Sequence, residues 1–170
     1  MGKILTVYFS RSGQNYVGGF VRDLSRGNTE IVAEMIQRAV GGDLFRVEPV
    51  KTYPDNYTAC TEVARAELRA HERVEAKKYP DVSGYDTIFV GYPNWWGTLP
   101  MVMWTVLEHC DLTGKTVIPF CTNEGGGMGG SERDLRELCR GASVLRGLSI
   151  RGSQAAASES HVASWARKHV

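Results

Sequence analysis

A chain of 170 residues with 42% hydrophobic composition is sized for one domain over residues 1–170, able to bury roughly two-thirds of the surface its unfolded form exposes. Twenty Lys and Arg against nineteen Asp and Glu leave a formal charge of +1. No global field therefore argues for nucleic acid, a membrane surface or a strongly acidic partner. No apolar run reaches the ~20 residues of a membrane span, and the opening MGKILTVYFS is too short for a signal peptide's apolar region, so a cytoplasmic protein is expected. Cys60, Cys110, Cys121 and Cys139 form no CxxC pair and read as reduced, mostly buried thiols.

In chain order, the first expected strand is Lys3–Phe9, apolar nearly throughout, as a strand covered on both faces should be. A long polar, glycine-punctuated stretch follows. It has Ser10, Arg11 and Ser12 at one end and Gly27, Asn28 and Thr29 at the other, just before a helix. Small hydroxyls, free amide groups and the positive end of a helix dipole make an anion site without any lysine. The competing reading makes Asn28 or Thr29 an ordinary N-cap and the serines turn residues. The helix itself is marked by one stripe of Ile31, Val32, Met35, Ile36, Ala39 and Val40, ended by Gly41-Gly42.

The second strand, Leu44–Val50, alternates and carries Arg46 and Glu48, which suits a sheet edge. A helix over Tyr57–Glu72 leads to the third strand, Thr87–Pro93. The loop after it, YPNWWGTLP, sets Trp95 and Trp96 where a turn would ordinarily be polar. They suit either a planar aromatic ligand or a packing role, at the sheet end or against another subunit in a homodimer. After a helix over Pro100–His109, the fourth strand, Thr116–Cys121, opens into a loop in which Gly125, Gly127 and Gly130 satisfy GxGxxG. That match is a decoy for dinucleotide binding. The fingerprint belongs in the first strand-helix unit and wants an acid about twenty residues on, where this chain has Ser149, Ile150 and Arg151. The glycines instead let backbone approach the edge of a flat ligand. A helix over Ser131–Cys139, a fifth strand over Val144–Ile150 and a last helix over Ser158–His169 complete the series.

Strand and helix alternate throughout, which predicts right-handed crossovers and a doubly wound α/β three-layer sandwich on a five-stranded parallel sheet. Ligands then sit outside the carboxyl ends of the strands, at the three loops after the first, third and fourth. The chain has no GxxxxGK[ST], no GxSxG elbow, no cysteine in the first loop and no metal-ligand spacing among its histidines. No residue reads as a general acid, base or nucleophile.

At these loops the sequence resembles the flavodoxin-like family over nearly its whole length. Ser10–Ser12 and Gly27–Thr29 match the two halves of that family's phosphate loop, Pro93, Asn94, Trp95, Trp96 and Gly97 its ring loop, and Thr122 to Gly129 its third loop. The resemblance implies strand order 2-1-3-4-5 and FMN as cofactor. It puts Ser10, Arg11, Ser12, Asn28 and Thr29 on the phosphate, Pro93 to Gly97 along the ring and ribityl chain, and Thr122, Glu124, Gly125 and Gly126 at the ring's far edge. It also implies electron transfer, either with a redox partner protein or, as an enzyme, from NAD(P)H to a quinone or another small acceptor; an interaction module without redox activity is the remaining alternative. Two features depart from the family pattern. Gly13–Arg26 is an insertion, expected to loop out so that its ends meet, with Asn15 and Tyr16 either over the cofactor or in solvent; and the near-neutral charge weakens the reading as an acidic single-electron carrier.

Overall fold

The computed structural model describes residues 2–170. Its elements are β1 (Ile4–Tyr8), β2 (Gly13–Val17), β3 (Phe20–Leu24), α1 (Asn28–Val40), β4 (Asp43–Arg46), α2 (Tyr57–Arg69), β5 (Thr87–Pro93) and α3 (Met101–His109). There follow β6 (Thr116–Asn123), α4 (Ser131–Leu138), β7 (Ser143–Val144), β8 (Leu148–Arg151), a 3-10 segment (Gly152–Ala157) and α5 (Glu159–Arg167). The main sheet runs β4-β1-β5-β6-β7, with β8 also paired to β6, and every pairing in it is parallel.

Both faces of this sheet are covered, which is why its central strands are apolar in succession rather than in alternation. On one face, α1 and α5 pack Val32, Ile36, Val162 and Ala166 against Phe89, Ile118 and Phe120. On the other, Val7, Ile88, Val90 and Val117 share a core with Val102, Met103, Val106 and Leu107 of α3 and Leu135 of α4. β4, within the segment expected at a sheet edge, takes the edge.

The expected fifth strand is in two pieces, β7 and β8, both on β6. Their separation has a cause in β6. The Val117 carbonyl accepts the Leu145 N–H at 2.9 Å, so Pro119, two residues on, faces the same neighbour and has no N–H to give. The next donor of the neighbour is drawn off the ladder as well, since the Gly147 N–H goes to the Glu132 carboxylate at 2.9 Å. β4 is also shorter than the expected Leu44–Val50: the chain leaves the sheet after Arg46, and Pro49 forms a bridge with Ala76.

The insertion departs most from the sequence reading. It is an antiparallel hairpin, β2 on β3, that forms its own two-stranded sheet. Val17 pairs with Phe20 across Gly18 and Gly19, whose φ values of 62° and 90° suit the primed two-residue turn that matches strand twist. The ends do meet: a Cβ on Gly27 would overlap Ser10 Oγ and lie 2.5 Å from the Arg11 carbonyl oxygen.

Gly91 of β5 pairs with Phe120 of β6, and a Cβ at Gly91 would overlap the buried Phe120 ring. Gly91→Ala is therefore expected to destabilise the protein by about 1–3 kcal/mol through overpacking. Urea unfolding followed by far-UV circular dichroism checks this, as a lower midpoint at unchanged slope.

Candidate functional site

The winding reverses between β1 and β5, so the crevice outside their carboxyl ends is where this architecture accepts ligands. A cleft lies there. Its polar part is lined by Arg11, Asn28, Thr29, Pro93, Asn94, Trp95, Thr122, Asn123, Glu124 and Gly152, with Asn15, Tyr16 and Tyr57. It continues into a lobe of about 420 Å³ between α2 and the Trp95-Trp96 turn, lined by Tyr57, Cys60, Thr61, Ala64, Trp95 and Trp96. Gly97 and Gly126 line an outer groove with Asn94 and Glu124. Ser10 is buried close behind the polar part, whereas Ser12 and Gly125 lie outside the lining.

At the polar end, α1 begins with Gly27 as its N-cap, a residue with no side chain to satisfy the first amides. Ser10 Oγ accepts the Glu30 N–H at 3.1 Å, which leaves the serine's own proton to donate elsewhere. The hydroxyls of Thr29 and Thr122 are 2.8 Å apart. Only one proton is used between them, so the second is likewise available. Neutral donors thus converge on one helix start. Arg11 is placed differently: its guanidinium donates to the carbonyls of Gln14, Pro54 and Asp55 at 2.9–3.0 Å. It ties the hairpin root to the loop before α2.

The two later loops are joined directly. Asn94 Nδ2 donates to the Gly127 carbonyl at 3.0 Å, its Oδ1 accepts the Gly97 N–H at 2.8 Å, and the Gly130 N–H reaches the Gly97 carbonyl at 2.7 Å. A Cβ on Gly129 would overlap the Gly97 carbonyl. At Gly129 the close backbone approach is therefore to the neighbouring loop.

The tryptophans divide their roles. Trp95 is half-buried and meets Phe9 and Tyr53 edge to face, both at 5.1 Å between ring centres. Trp96 is 52% exposed and sits at a φ of 58°, which costs about 1–2 kcal/mol outside glycine. Its indole N–H donates to the Thr61 carbonyl at 2.9 Å, and Arg65 lies 5.2 Å from its ring centre. Both rings border the apolar lobe.

Tyr57, Cys60, Thr61 and Gly152 line the cleft but are missed by sequence reasoning, which looked only at loops. In a parallel sandwich the helix after an edge strand also starts at the carboxyl end of the sheet, so the first turn of α2 was open to the same argument.

These observations define an α/β sandwich with a preformed cleft at its switch point, polar at one end and aromatic at the other. The chain belongs to the flavodoxin family, whose model matches residues 3–169. Among solved structures it is similar to a protein provisionally named a flavoprotein from Bacteroides eggerthii DSM 20697, at 27% identity over 99% of this chain and 98% of that one, with a TM-score of 0.79. It shares its fold with a flavoprotein from Lactobacillus acidophilus NCFM solved in complex with FMN, at 20% identity over 94% and 99% of the two chains and a TM-score of 0.68. Oxidised flavodoxin 2 from Bacillus cereus aligns over 99% of both chains at 23% identity, with a TM-score of 0.55. Among curated proteins, none matches the chain in sequence.

Behind Trp95, the Tyr53 hydroxyl donates to Glu67 Oε1 at 2.7 Å, and Glu67 is 9% exposed. Burial raises the Glu67 carboxyl above the ordinary range, the phenol's hydrogen bond opposes this, and Glu72 adds to the rise. A carboxyl raised on folding contributes stability below its unfolded pKa of about 4.3 and loses it as pH rises through the folded value. Glu67→Gln keeps an acceptor for Tyr53 and removes the buried charge. It is expected to melt higher than the parent at pH 7, with the gap closing toward pH 4; thermal melts across that range check it.

Proposed function

We propose that this protein binds FMN and works in electron transfer. The observation that carries the reading is the convergence of the Ser10 hydroxyl, the side chains of Asn28 and Thr29 and the open start of α1 at one end of a cleft whose other end is walled by Trp95, Trp96 and Tyr57. A phosphate ester and a flat aromatic ring at opposite ends of one molecule suit this polarity. The FMN complex of the Lactobacillus flavoprotein supports the choice of flavin.

In this reading Ser10, Asn28 and Thr29 hold the phosphate, with Arg11 contributing backbone N–H and Ser12, outside the cleft lining, taking no part. Pro93, Asn94, Thr122 and Glu124 follow the ribityl chain, while Trp95, Trp96, Gly97 and Gly126 border the ring. FMN supplies the electron chemistry when bound. The chain's residues bind it, orient the ring against Trp95 and keep water from one face. The near-neutral charge favours a second reading, an enzyme that takes hydride from NAD(P)H and reduces a quinone or another small acceptor. Steady-state NAD(P)H oxidation by the FMN-loaded protein with a quinone separates the two, since a carrier turns over little without a separate reductase.

Adding FMN to the purified protein is expected to shift the flavin absorption bands and raise the melting temperature; no change in either would overturn the reading. Thr29→Val removes a hydroxyl aimed at phosphate. It is expected to weaken FMN binding by about 10- to 100-fold, the worth of one hydrogen bond to a charged group. Riboflavin, which has no phosphate, should be affected by no more than about 3-fold. Fluorescence titration with both flavins measures the difference.

A further inference from the structure

Trp96 occupies a place that neither its turn nor its packing calls for. Trp95 and Thr98 pair across a two-residue turn, with the Trp95 N–H donating to the Thr98 carbonyl at 2.9 Å. Both central residues have positive φ, 58° at Trp96 and 89° at Gly97. A primed turn of this kind favours asparagine or glycine at its first central position. Packing does not explain the indole either, since Trp96 is 52% exposed. Backbone strain that holds out a large aromatic side chain marks a functional position. The indole N–H is tied to the Thr61 carbonyl at 2.9 Å. Trp96 therefore spans from its turn to α2, beside the lobe of about 420 Å³ whose α2 wall is Tyr57, Cys60, Thr61 and Ala64. The flavin ring, as read above, is bordered by Trp95, Trp96, Gly97 and Gly126, none of which belongs to α2. That leaves the α2 wall to a second ligand.

The charges around the lobe give that ligand a sign. No carboxylate lines it. Arg11 does, and its carbonyl partners use its protons without cancelling its charge. Arg65 lies over the Trp96 ring, 5.2 Å from its centre. Among the described residues neither guanidinium is ion-paired. Burial raises the Tyr57 hydroxyl and the Cys60 thiol above their ordinary ranges, so neither supplies a negative charge. A guanidinium over an aromatic face keeps its planar fork of donors free for a carboxylate.

We infer that the lobe seats a second ligand beside the flavin, a flat aromatic compound bearing an acidic group, with its ring against Trp96 and its acid toward Arg65. This rests on the FMN reading above, and in the reductase reading the second ligand is the electron acceptor. An aromatic wall binds the flat body, and the cation at the rim fixes its orientation, the usual division of labour in a small-molecule site.

The test is calorimetric titration of the FMN-loaded protein with two redox-inert probes, 2-naphthoate and its neutral isostere 2-naphthamide. One naphthoate is expected to bind per chain, with the amide about 3- to 5-fold weaker, the worth of one exposed ion pair. Arg65→Gln should bring the two probes within about 2-fold of each other and leave FMN affinity unchanged. Trp96→Asn suits the turn, so it should melt no lower than the parent while weakening both probes by at least about 10-fold. The inference falls if the FMN-loaded protein binds neither probe, if FMN and naphthoate displace one another, or if the amide binds as well as the acid. It also falls if Arg65→Gln weakens FMN as much as naphthoate, or if Trp96→Asn melts lower with both probe affinities unchanged. In each of these cases FMN binding leaves the cofactor reading standing; if no flavin binds the chain, both fall.

Discussion

The contact between Ser10 and Gly27 is the constraint on which the carboxyl end of this sheet depends. Ser10 ends the first strand and Gly27 caps the first helix, and only a residue without a Cβ allows them to touch. The Ser10 hydroxyl then satisfies the Glu30 amide, which fixes how α1 leaves the sheet. Everything between the two residues is an excursion with coincident ends. Closing a longer loop costs little, about 0.6 kcal/mol per doubling of length. Here the excursion also pairs with itself as a hairpin. The segments Ser10–Ser12 and Gly27–Thr29 are therefore continuous in space though separated in sequence.

The opposite wall is rigid for a different reason. β5 and β6 lie in the middle of the sheet, paired on both sides, and the loops that follow them are bonded to one another through Asn94. Tyr92, fully buried, donates to Ser131 Oγ at 2.8 Å and so links the end of β5 to the start of α4. Trp95 is held edge-on by Phe9 and Tyr53, and Tyr53 in turn by Glu67. A ring placed against Trp95 meets a surface whose orientation is set by residues two contacts away, the arrangement that holds a site to tight tolerances.

How much of this could be read from sequence follows from the range of the forces involved. The strands β1, β5 and β6, the helix α1 and the positions of the three loops were legible, because burial on two faces and a 3.6-residue stripe write themselves locally. The edge position of β4 was legible from the charged Arg46 for the same reason. The hairpin had a signal in Val17-Gly18-Gly19-Phe20, since paired glycines between short runs mark a primed turn, but its polar, exposed strands lack the alternation that names a strand. The break in the fifth strand was invisible within that segment, because its cause, Pro119, lies on the neighbouring strand. Arg11 and Glu124 were placed at the cleft by their neighbours in sequence, whereas their partners, Pro54, Asp55, Gly18 and Ser153, are long-range contacts that no local pattern encodes.

The charges around the start of α1 show the same economy from another side. Glu30 lies in the first turn, where it suits the helix dipole but would repel a bound anion. It is paired with Arg46 at 2.6 Å and with Arg26 at 3.6 Å, and Arg26 also bonds Glu34. Arg11, the cation nearest in sequence, is turned to backbone carbonyls. Glu30, Arg46, Arg26 and Arg11 are thus each occupied by protein, and an anion entering here would meet hydroxyls, amides and the helix dipole instead. Such donors are fixed by the fold before the ligand arrives, act at short range and do not attract anions from a distance. A site of this kind selects by shape and donor geometry, which is consistent with a chain whose net charge is close to zero.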